Sequence, residues 1–81
     1  MELKDTVVMM ESSDYQERYK AEYYQLKIRV EKLAAMLEKY ATGTLNFTPS
    51  CSYELLFEQL VYMRDYMQIL EKRAEIEGVP M

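Results

Sequence analysis

Apolar residues recur in the first half of the chain with the spacing of an amphipathic helix. From residue 19 they follow one another at intervals of 4, 3, 4, 3, 4 and 3 positions, as Tyr19, Tyr23, Leu26, Val30, Leu33, Leu37 and Tyr40. A heptad seam held for three repeats predicts a long helix that packs against another helix along one face. Ser13 with Gln16 matches a capping box, and Gly43 supplies a left-handed stop. We therefore expect a helix over about residues 13–42.

A second seam of the same kind follows the connection TGTLNFTPS. Its members are spaced 3, 4, 3, 4, 3 and 4 positions apart, as Tyr53, Leu56, Leu60, Met63, Met67, Leu70 and Ala74. Thr48 before Pro49 favours a start near residue 49, with Ser50 and Ser52 as competing caps. Gly78 ends the helix near residue 77. The two seams predict an all-α fold, in which residues 13–81 form a long antiparallel two-helix hairpin.

Residues 1–12 have no place in either seam. The run Thr6 to Met10 contains β-branched residues and is short, which is typical of an extended arm or a short strand. One interpretation is a mobile tail that docks on an apolar surface. The other is an arm that is exchanged between protomers.

The second helix carries another stripe, which we call the outer stripe. It is rotated one position from the first seam and consists of Leu55, Gln59, Tyr62, Tyr66, Ile69, Arg73 and Ile76. A helix that is apolar over so much of its circumference must be covered on more than one side. We expect another copy of the chain to cover the apolar members, which gives a homo-oligomeric helical bundle with Leu55, Tyr62, Ile69 and Ile76 in the interface. The alternative is a monomer in which the first helix, the arm and the loop cover both stripes.

The composition excludes most catalytic chemistry. The chain has no histidine, one cysteine and two glycines. A nucleophilic triad cannot be built, zinc would find only Cys51 and carboxylates, and no glycine-rich phosphate loop exists. The helical acids resemble solvated faces rather than a di-metal site, because the Glu-x-x-His motif is absent. We expect no enzymatic activity, no metal and no cofactor.

The charge and the single cysteine suggest the compartment and the partners. A net charge of −4 argues against nucleic acid as a partner, and no apolar run is long enough to span a membrane. A single cysteine cannot form an internal disulfide, which fits a reducing compartment. The sequence thus predicts a soluble cytoplasmic protein.

Tyrosine accounts for 8 of the 81 residues and directs attention to binding. Tyrosine is favoured at interfaces because its rigid ring has a polar tip and few torsions to freeze. An antiparallel hairpin places Tyr15 and Arg18 near Tyr66 and Arg73, and Gln59 lies in the same column as Tyr66 and Arg73. Aromatic faces beside guanidinium groups suit the recognition of nucleotides. Packing with the hydroxyls at the rim is the alternative for these tyrosines, and register control is the alternative for Gln59 and Arg73.

Two motifs within these helices resemble a family of small helical-hairpin accessory proteins of crAss-like and related bacteriophages. The first is Asp-Tyr-Gln-x-Arg, present here as Asp14, Tyr15, Gln16 and Arg18. The second is Gln-x3-Met-x2-Tyr-x3-Leu-x2-Arg, present as Gln59, Met63, Tyr66, Leu70 and Arg73. The likeness extends over about residues 13–75 and is lost in the arm and in the longer loop. It implies a phage accessory protein that acts in the host cytoplasm.

Two functions fit these observations. In the first, the protein is an anti-defence sponge that sequesters a nucleotide-type immune signal, a cyclic nucleotide or an ADP-ribose derivative, between protomers without catalysis. In the second, it is an inhibitor or adaptor that binds a host defence protein through a Tyr- and Met-rich helical face. A structural hairpin without a ligand is a third possibility. We place the sponge first because an Arg, Gln and Tyr column in a seam suits a symmetric polar pocket.

Overall fold

The computed structural model describes all 81 residues and contains helices but no strand. A 3₁₀ turn, Leu3–Thr6, leads into a four-residue helix α1, Val7–Met10. The long helices are α2, Tyr15–Thr42, and α3, Tyr53–Glu77. Tyr40 lies beside Tyr53 at the loop end, and Tyr15 lies beside Glu77 at the opposite end, so α2 and α3 run antiparallel. The molecule measures 43 × 25 × 17 Å.

The N-cap of helix α2 lies one residue later than the capping box had indicated. Asp14, not Ser13, is the N-cap, and its Oδ1 accepts a hydrogen bond from the backbone N–H of Gln16 at 2.9 Å. A carboxylate at this position also interacts favourably with the positive end of the helix dipole. The helix ends as expected at Gly43, which has a φ of 74°. The N–H of Thr44 then returns to the carbonyl of Lys39 at 2.9 Å, which completes a Schellman motif.

Helix α3 uses the last of its three candidate caps. The Oγ of Ser52 accepts from the N–H of Leu55 at 3.2 Å, so the helix begins at Tyr53 rather than near Pro49. Gly78 ends it with a φ of 73°. The N–H of Val79 reaches back to the carbonyl of Ala74 at 2.8 Å, and the Val79 side chain is buried against the hairpin. The C-terminal cap therefore adds apolar contact to the core as well as hydrogen bonds.

Both predicted seams face each other and form the core. Every member of the two seams is buried or half-buried. One cluster, at the end where α2 begins and α3 ends, contains Tyr19, Leu70, Ala74 and Val79. The other, toward the loop, is built on Val30, Leu37 and Leu60. The core between α2 and α3 is thus a single line of side chains.

The arm differs from the extended segment or strand that the sequence suggested. Reciprocal bonds between Glu2 and Asp5 favour a 3₁₀ turn instead, and the arm packs on α2. Thr6 is fully buried, and its Oγ1 accepts from the side-chain amide of Gln25 at 2.9 Å. Ala21 and Ile28, one helical turn on either side of Gln25, are buried as well. The arm therefore covers the face of α2 that α3 does not reach, which agrees with a docked segment.

The outer stripe is not covered by the chain itself. All seven of its residues are exposed, with Leu55 at 55%, Tyr62 at 64% and Ile76 at 85% of their accessible surface. The alternative in which the first helix, the arm and the loop cover both stripes is therefore wrong as to coverage, since the outer stripe stays exposed. No helix combines the length and the apolar character that crossing a membrane requires.

Truncating a core side chain should destabilise the hairpin far more than truncating its exposed neighbour. Leu60 is 3% exposed and Val61 is 41% exposed on the next position. Leu60→Ala should lower the free energy of unfolding by about 2–5 kcal/mol, through lost burial and the cavity that remains. Val61→Ala should change it by less than about 1 kcal/mol. Urea denaturation followed by circular dichroism measures both, and equal effects would contradict the assigned core.

Candidate functional site

The end of the hairpin where α2 begins and α3 ends carries a polar network that joins the two helices. The Tyr15 hydroxyl donates to Oε1 of Glu77 at 2.7 Å, and Nε of Arg73 donates to Oε2 of the same carboxylate at 3.1 Å. Nη2 of Arg73 also lies 3.4 Å from the Tyr15 oxygen. The antiparallel arrangement thus brings Tyr15 and Arg73 together, as the sequence predicted, and adds Glu77 between them.

The contacts of this network favour an ionised Glu77 carboxylate, a neutral Tyr15 hydroxyl and a charged Arg73 guanidinium. The hydrogen bond from Tyr15 and the guanidinium of Arg73 lower the pKa of Glu77. The same contacts act in the opposite direction on the donors, since the bonded carboxylate raises the pKa of Tyr15 and of Arg73. An anionic ligand at Arg73 would therefore compete with the Glu77 carboxylate or bind the edge of the guanidinium that Glu77 leaves free.

Tyr19 forms the floor beneath Arg73. Its ring is buried, and the guanidinium carbon of Arg73 lies 5.2 Å from the ring centroid, within the range of a cation–π contact. Its hydroxyl donates to the backbone carbonyl of Leu70 at 2.5 Å, and burial raises the pKa of Tyr19. This carbonyl is otherwise part of the α3 backbone ladder, so the bond fixes the height of α2 relative to α3. The buried ring of Tyr19 thereby helps to position the Arg73 guanidinium.

Tyr66 lies one heptad before Arg73 on the same side of α3. Its hydroxyl donates to Oε2 of Glu22 on α2, and this bond is the main cause of its raised pKa. The residue remains 44% exposed while its hydroxyl is fixed by this bond. The hydrogen bond to Glu22 therefore restricts the rotation of the Tyr66 side chain.

A concavity of ≈ 550 Å³ opens on the outer stripe next to Tyr66. It is lined by residues of α3 alone: Leu55, Glu58, Gln59, Tyr62, Met63 and Tyr66. The amide of Gln59 points along the helix to the sulfur of Met63 at 3.6 Å. Two tyrosine rings, one amide and one carboxylate therefore surround a shallow surface with no opposite wall. A single helix cannot enclose a ligand, so the concavity is open on its outer side.

The structure does not bring all five predicted binding residues together. Arg18 binds the backbone carbonyl of Ser12 through Nη1 at 2.9 Å and fastens the turn between the arm and α2. Gln59 and Arg73 are two heptads apart on α3, about 21 Å at 1.5 Å per residue. Tyr66 lies between them. The predicted residues thus fall into a concavity around Gln59, a network around Arg73, and Arg18 apart from both.

Three side chains that shape the site were not predicted from the sequence. Glu77 was detectable, because it lies four residues after Arg73, the spacing at which helical charges pair. Glu58 was expected only as part of a solvated face. Glu22 carried no signal, since its role depends on which α2 residue comes level with Tyr66. No group of three or more histidine, cysteine or acidic side chains is close enough to hold a metal ion, and Cys51 is exposed in the loop.

A comparison with protein families identifies the chain. The model of the Sequestin family matches residues 13–76, which comprise both long helices and leave out the arm. The chain belongs to the Sequestin family. The family's name indicates sequestration, a binding role without catalysis, and no enzyme family is indicated.

A phage protein is similar to this chain over most of its length. It is an uncharacterized 7.5 kDa protein of the denB–rIIB intergenic region of Enterobacteria phage T4, 37% identical over 59 residues. The aligned part covers 73% of this chain and 88% of the T4 protein. Together the two findings support a family of small phage accessory proteins, and the narrower likeness to crAss-like phages stays a prediction. No solved structure matches the chain.

Tyr23, on the opposite side of the hairpin, should make the free energy of unfolding fall at alkaline pH. Burial, followed by a hydrogen bond to Glu71 at 2.8 Å, raises the pKa of Tyr23 to about 12. Because an unfolded tyrosine titrates near pH 10, the contribution of Tyr23 to stability is complete below about pH 10 and is lost as pH rises toward 12. Tyr23→Phe should flatten the fall of unfolding free energy over this range. Denaturation at stepped pH measures it, with Glu71→Gln expected to be intermediate. An unchanged slope in Tyr23→Phe would contradict the assignment.

Proposed function

We propose that this protein is a phage anti-defence protein that binds and sequesters a nucleotide-type immune signal, a cyclic nucleotide or an ADP-ribose derivative, between protomers. The concavity on α3 carries this proposal, because it offers ligand-binding chemistry but lacks a second wall. The Sequestin family's name supports retention of a ligand rather than its conversion. The host cytoplasm, where such signals accumulate, is the proposed place of action.

The side chains of the concavity suit the parts of a nucleotide. The exposed rings of Tyr62 and Tyr66 offer faces on which a base can stack, a contact that contributes about 1–3 kcal/mol per base. The Gln59 amide has both a donor and an acceptor and can bind the edge of a base. Phosphate requires a cation, and Arg73 is the arginine of the outer stripe, with a guanidinium that the Glu77 carboxylate only partly occupies. Tyr15 adds a hydroxyl and a half-exposed ring beside it.

The exposed apolar part of the outer stripe supports assembly. Leu55, Tyr62, Ile69 and Ile76 are between 54% and 85% exposed. They lie in a row along one side of α3, seven residues apart, and alternate with Gln59, Tyr66 and Arg73. Rows of this size on a small soluble protein mark an interaction surface. We propose that another copy of the chain covers it, so that the ligand lies where two protomers meet.

A second candidate function rests on the same row. Ile76 is 85% exposed beside the polar network, and Tyr62 is 64% exposed in the middle of the stripe. Large apolar and aromatic side chains displayed this way suit the anchors of a protein interface. In this case the protein would inhibit or recruit a host defence protein, and no small molecule would be needed.

Self-association is the first expectation of the proposed function. The protein should sediment at micromolar concentration as a dimer or larger even oligomer, not as a 9.7 kDa monomer. Tyr62→Glu should dissociate the oligomer, because a carboxylate would be buried in the apolar row without a partner. Gln68→Glu lies on the opposite flank of α3, beside Glu71, and should leave the assembly unchanged. A wild-type monomer would exclude a site formed between protomers.

Ligand binding is the second expectation. Calorimetric titration of the oligomer with a panel of cyclic nucleotides and ADP-ribose isomers should give saturable heat with at least one compound. Arg73→Ala should then weaken binding about 10- to 150-fold, the loss expected when one charge-assisted hydrogen bond to the ligand is removed. Arg64→Ala removes an arginine from the opposite flank of the same helix and serves as the control.

Helicity measured by circular dichroism should be retained in both variants, since alanine favours the helix. The absence of heat with every compound would favour the protein target. A ligand whose affinity Arg73→Ala does not change would contradict the role of Arg73 in phosphate binding.

A further inference from the structure

Arg73 of the same chain lies too far from the concavity to complete it. Gln59 lies at its centre and Arg73 is 14 positions further along the same straight helix, about 21 Å away. The charged side chain that lines the concavity is Glu58, an acid. No lysine or arginine is among the lining residues, so an anionic ligand would meet a carboxylate in the lining itself. A cation from another molecule would balance this charge.

The outer stripe has a symmetry in its sequence that identifies this molecule. It runs from Leu55 to Ile76, and its midpoint lies between Asp65 and Tyr66. Positions equally far from the midpoint match in character: Leu55 corresponds to Ile76, and Tyr62 to Ile69. If a second copy of α3 lies antiparallel across a two-fold axis at this midpoint, the two stripes overlap over their full length and every apolar member meets an apolar member. An isologous contact of this kind is self-complementary.

We infer that a second copy of this chain packs its α3 antiparallel on the outer stripe, and that the partner's Arg73 completes the concavity around Gln59. In this arrangement Glu58 and Gln59 lie opposite the partner's Lys72 and the partner's Arg73. The dimer contains two such sites, related by the two-fold axis, and Tyr66 lies near the axis between them. The polar network around Arg73 then becomes the second wall that the concavity lacks.

Charge favours this orientation over a parallel one. An antiparallel pair places the acid Glu58 beside the partner's Lys72, and it does so twice per dimer. A parallel pair would place Glu58 beside its own copy and Arg73 beside its own copy, so that like charges meet at both ends. The antiparallel pair brings Asp65 beside its own copy at the axis, which is one unfavourable contact against two favourable ones. Like charges that face each other destabilise a helical interface.

The role of the partner's Arg73 in holding a ligand rests on the proposed function, whereas the packing of the two helices does not. The two are therefore tested separately. The packing is measured on the protein alone, and the calorimetric panel described above tests the ligand. A correct dimer without a ligand would overturn the sponge but not the interface.

Disulfide trapping tests the arrangement. In a Cys51→Ser background, one preparation carries Gln59→Cys and another carries Arg73→Cys, both at exposed positions of α3. A disulfide requires Cα atoms about 4.4–6.8 Å apart, so it reports direct juxtaposition. Mild oxidation of the mixture should give a disulfide-linked heterodimer, and each preparation oxidised alone should remain unlinked. Efficient linking of either preparation alone, or no linking in a mixture that sedimentation shows to be dimeric, would overturn the inference.

Charge exchange gives a second, independent test. Glu58→Lys and Lys72→Glu each turn two attractive contacts of the dimer into repulsive ones and should weaken self-association about ten-fold. An equimolar mixture of the two variants should recover it, because both contacts of the heterodimer then join one cation and one carboxylate. Sedimentation of each variant and of the mixture measures this. Recovery would support the antiparallel register, and a mixture no stronger than its components would overturn it.

Discussion

Helix α3 is apolar on two neighbouring sides, and α2 can cover only one of them. This constraint governs the rest of the structure. The inner seam is satisfied within the chain, where Leu70 is fully buried and Tyr19 donates to the backbone of α3. The outer stripe is left exposed, with Tyr62 at 64% and Ile76 at 85% of their accessible surface. The hairpin therefore displays an apolar stripe that no other part of the chain covers.

The fold followed from the sequence where long-range periodicity decides it. Two seams of heptad spacing are enough to specify an antiparallel hairpin, because each must be covered and a short loop joins them. The helix starts were less certain, since neighbouring residues can supply the same capping bond. Asp14 displaced Ser13, and Ser52 displaced Thr48, by geometry that sequence does not determine. The arm was predicted as extended because its β-branched residues suggested a strand. Its conformation is set instead by a local capping box and by the burial of Thr6 against α2.

The candidate site was only partly predictable, for a physical reason. Antiparallel geometry brings the start of α2 to the end of α3, which correctly paired Tyr15 with Arg73. Which way a long side chain turns depends on the nearest competing partner. Arg18 found the carbonyl of Ser12, and Arg73 found Glu77 four residues on. Periodicity places residues on a face of a helix, but it does not rank the polar atoms within reach of them.

The contacts of Tyr19 also have a consequence for how the chain folds. Its bond to the Leu70 carbonyl joins residues 51 positions apart, whereas Tyr40 and Tyr53 meet across the connecting loop. Closing a short loop costs less entropy than closing a long one. Contacts between the helices should therefore form first near Tyr40 and last where α2 begins and α3 ends. The same order reversed describes fraying, since the last contacts formed are the first to open. The network of Arg73 therefore lies at the end of the hairpin that should open first. A partner or ligand bound there would hold the two helix ends together and stabilise the whole hairpin against unfolding.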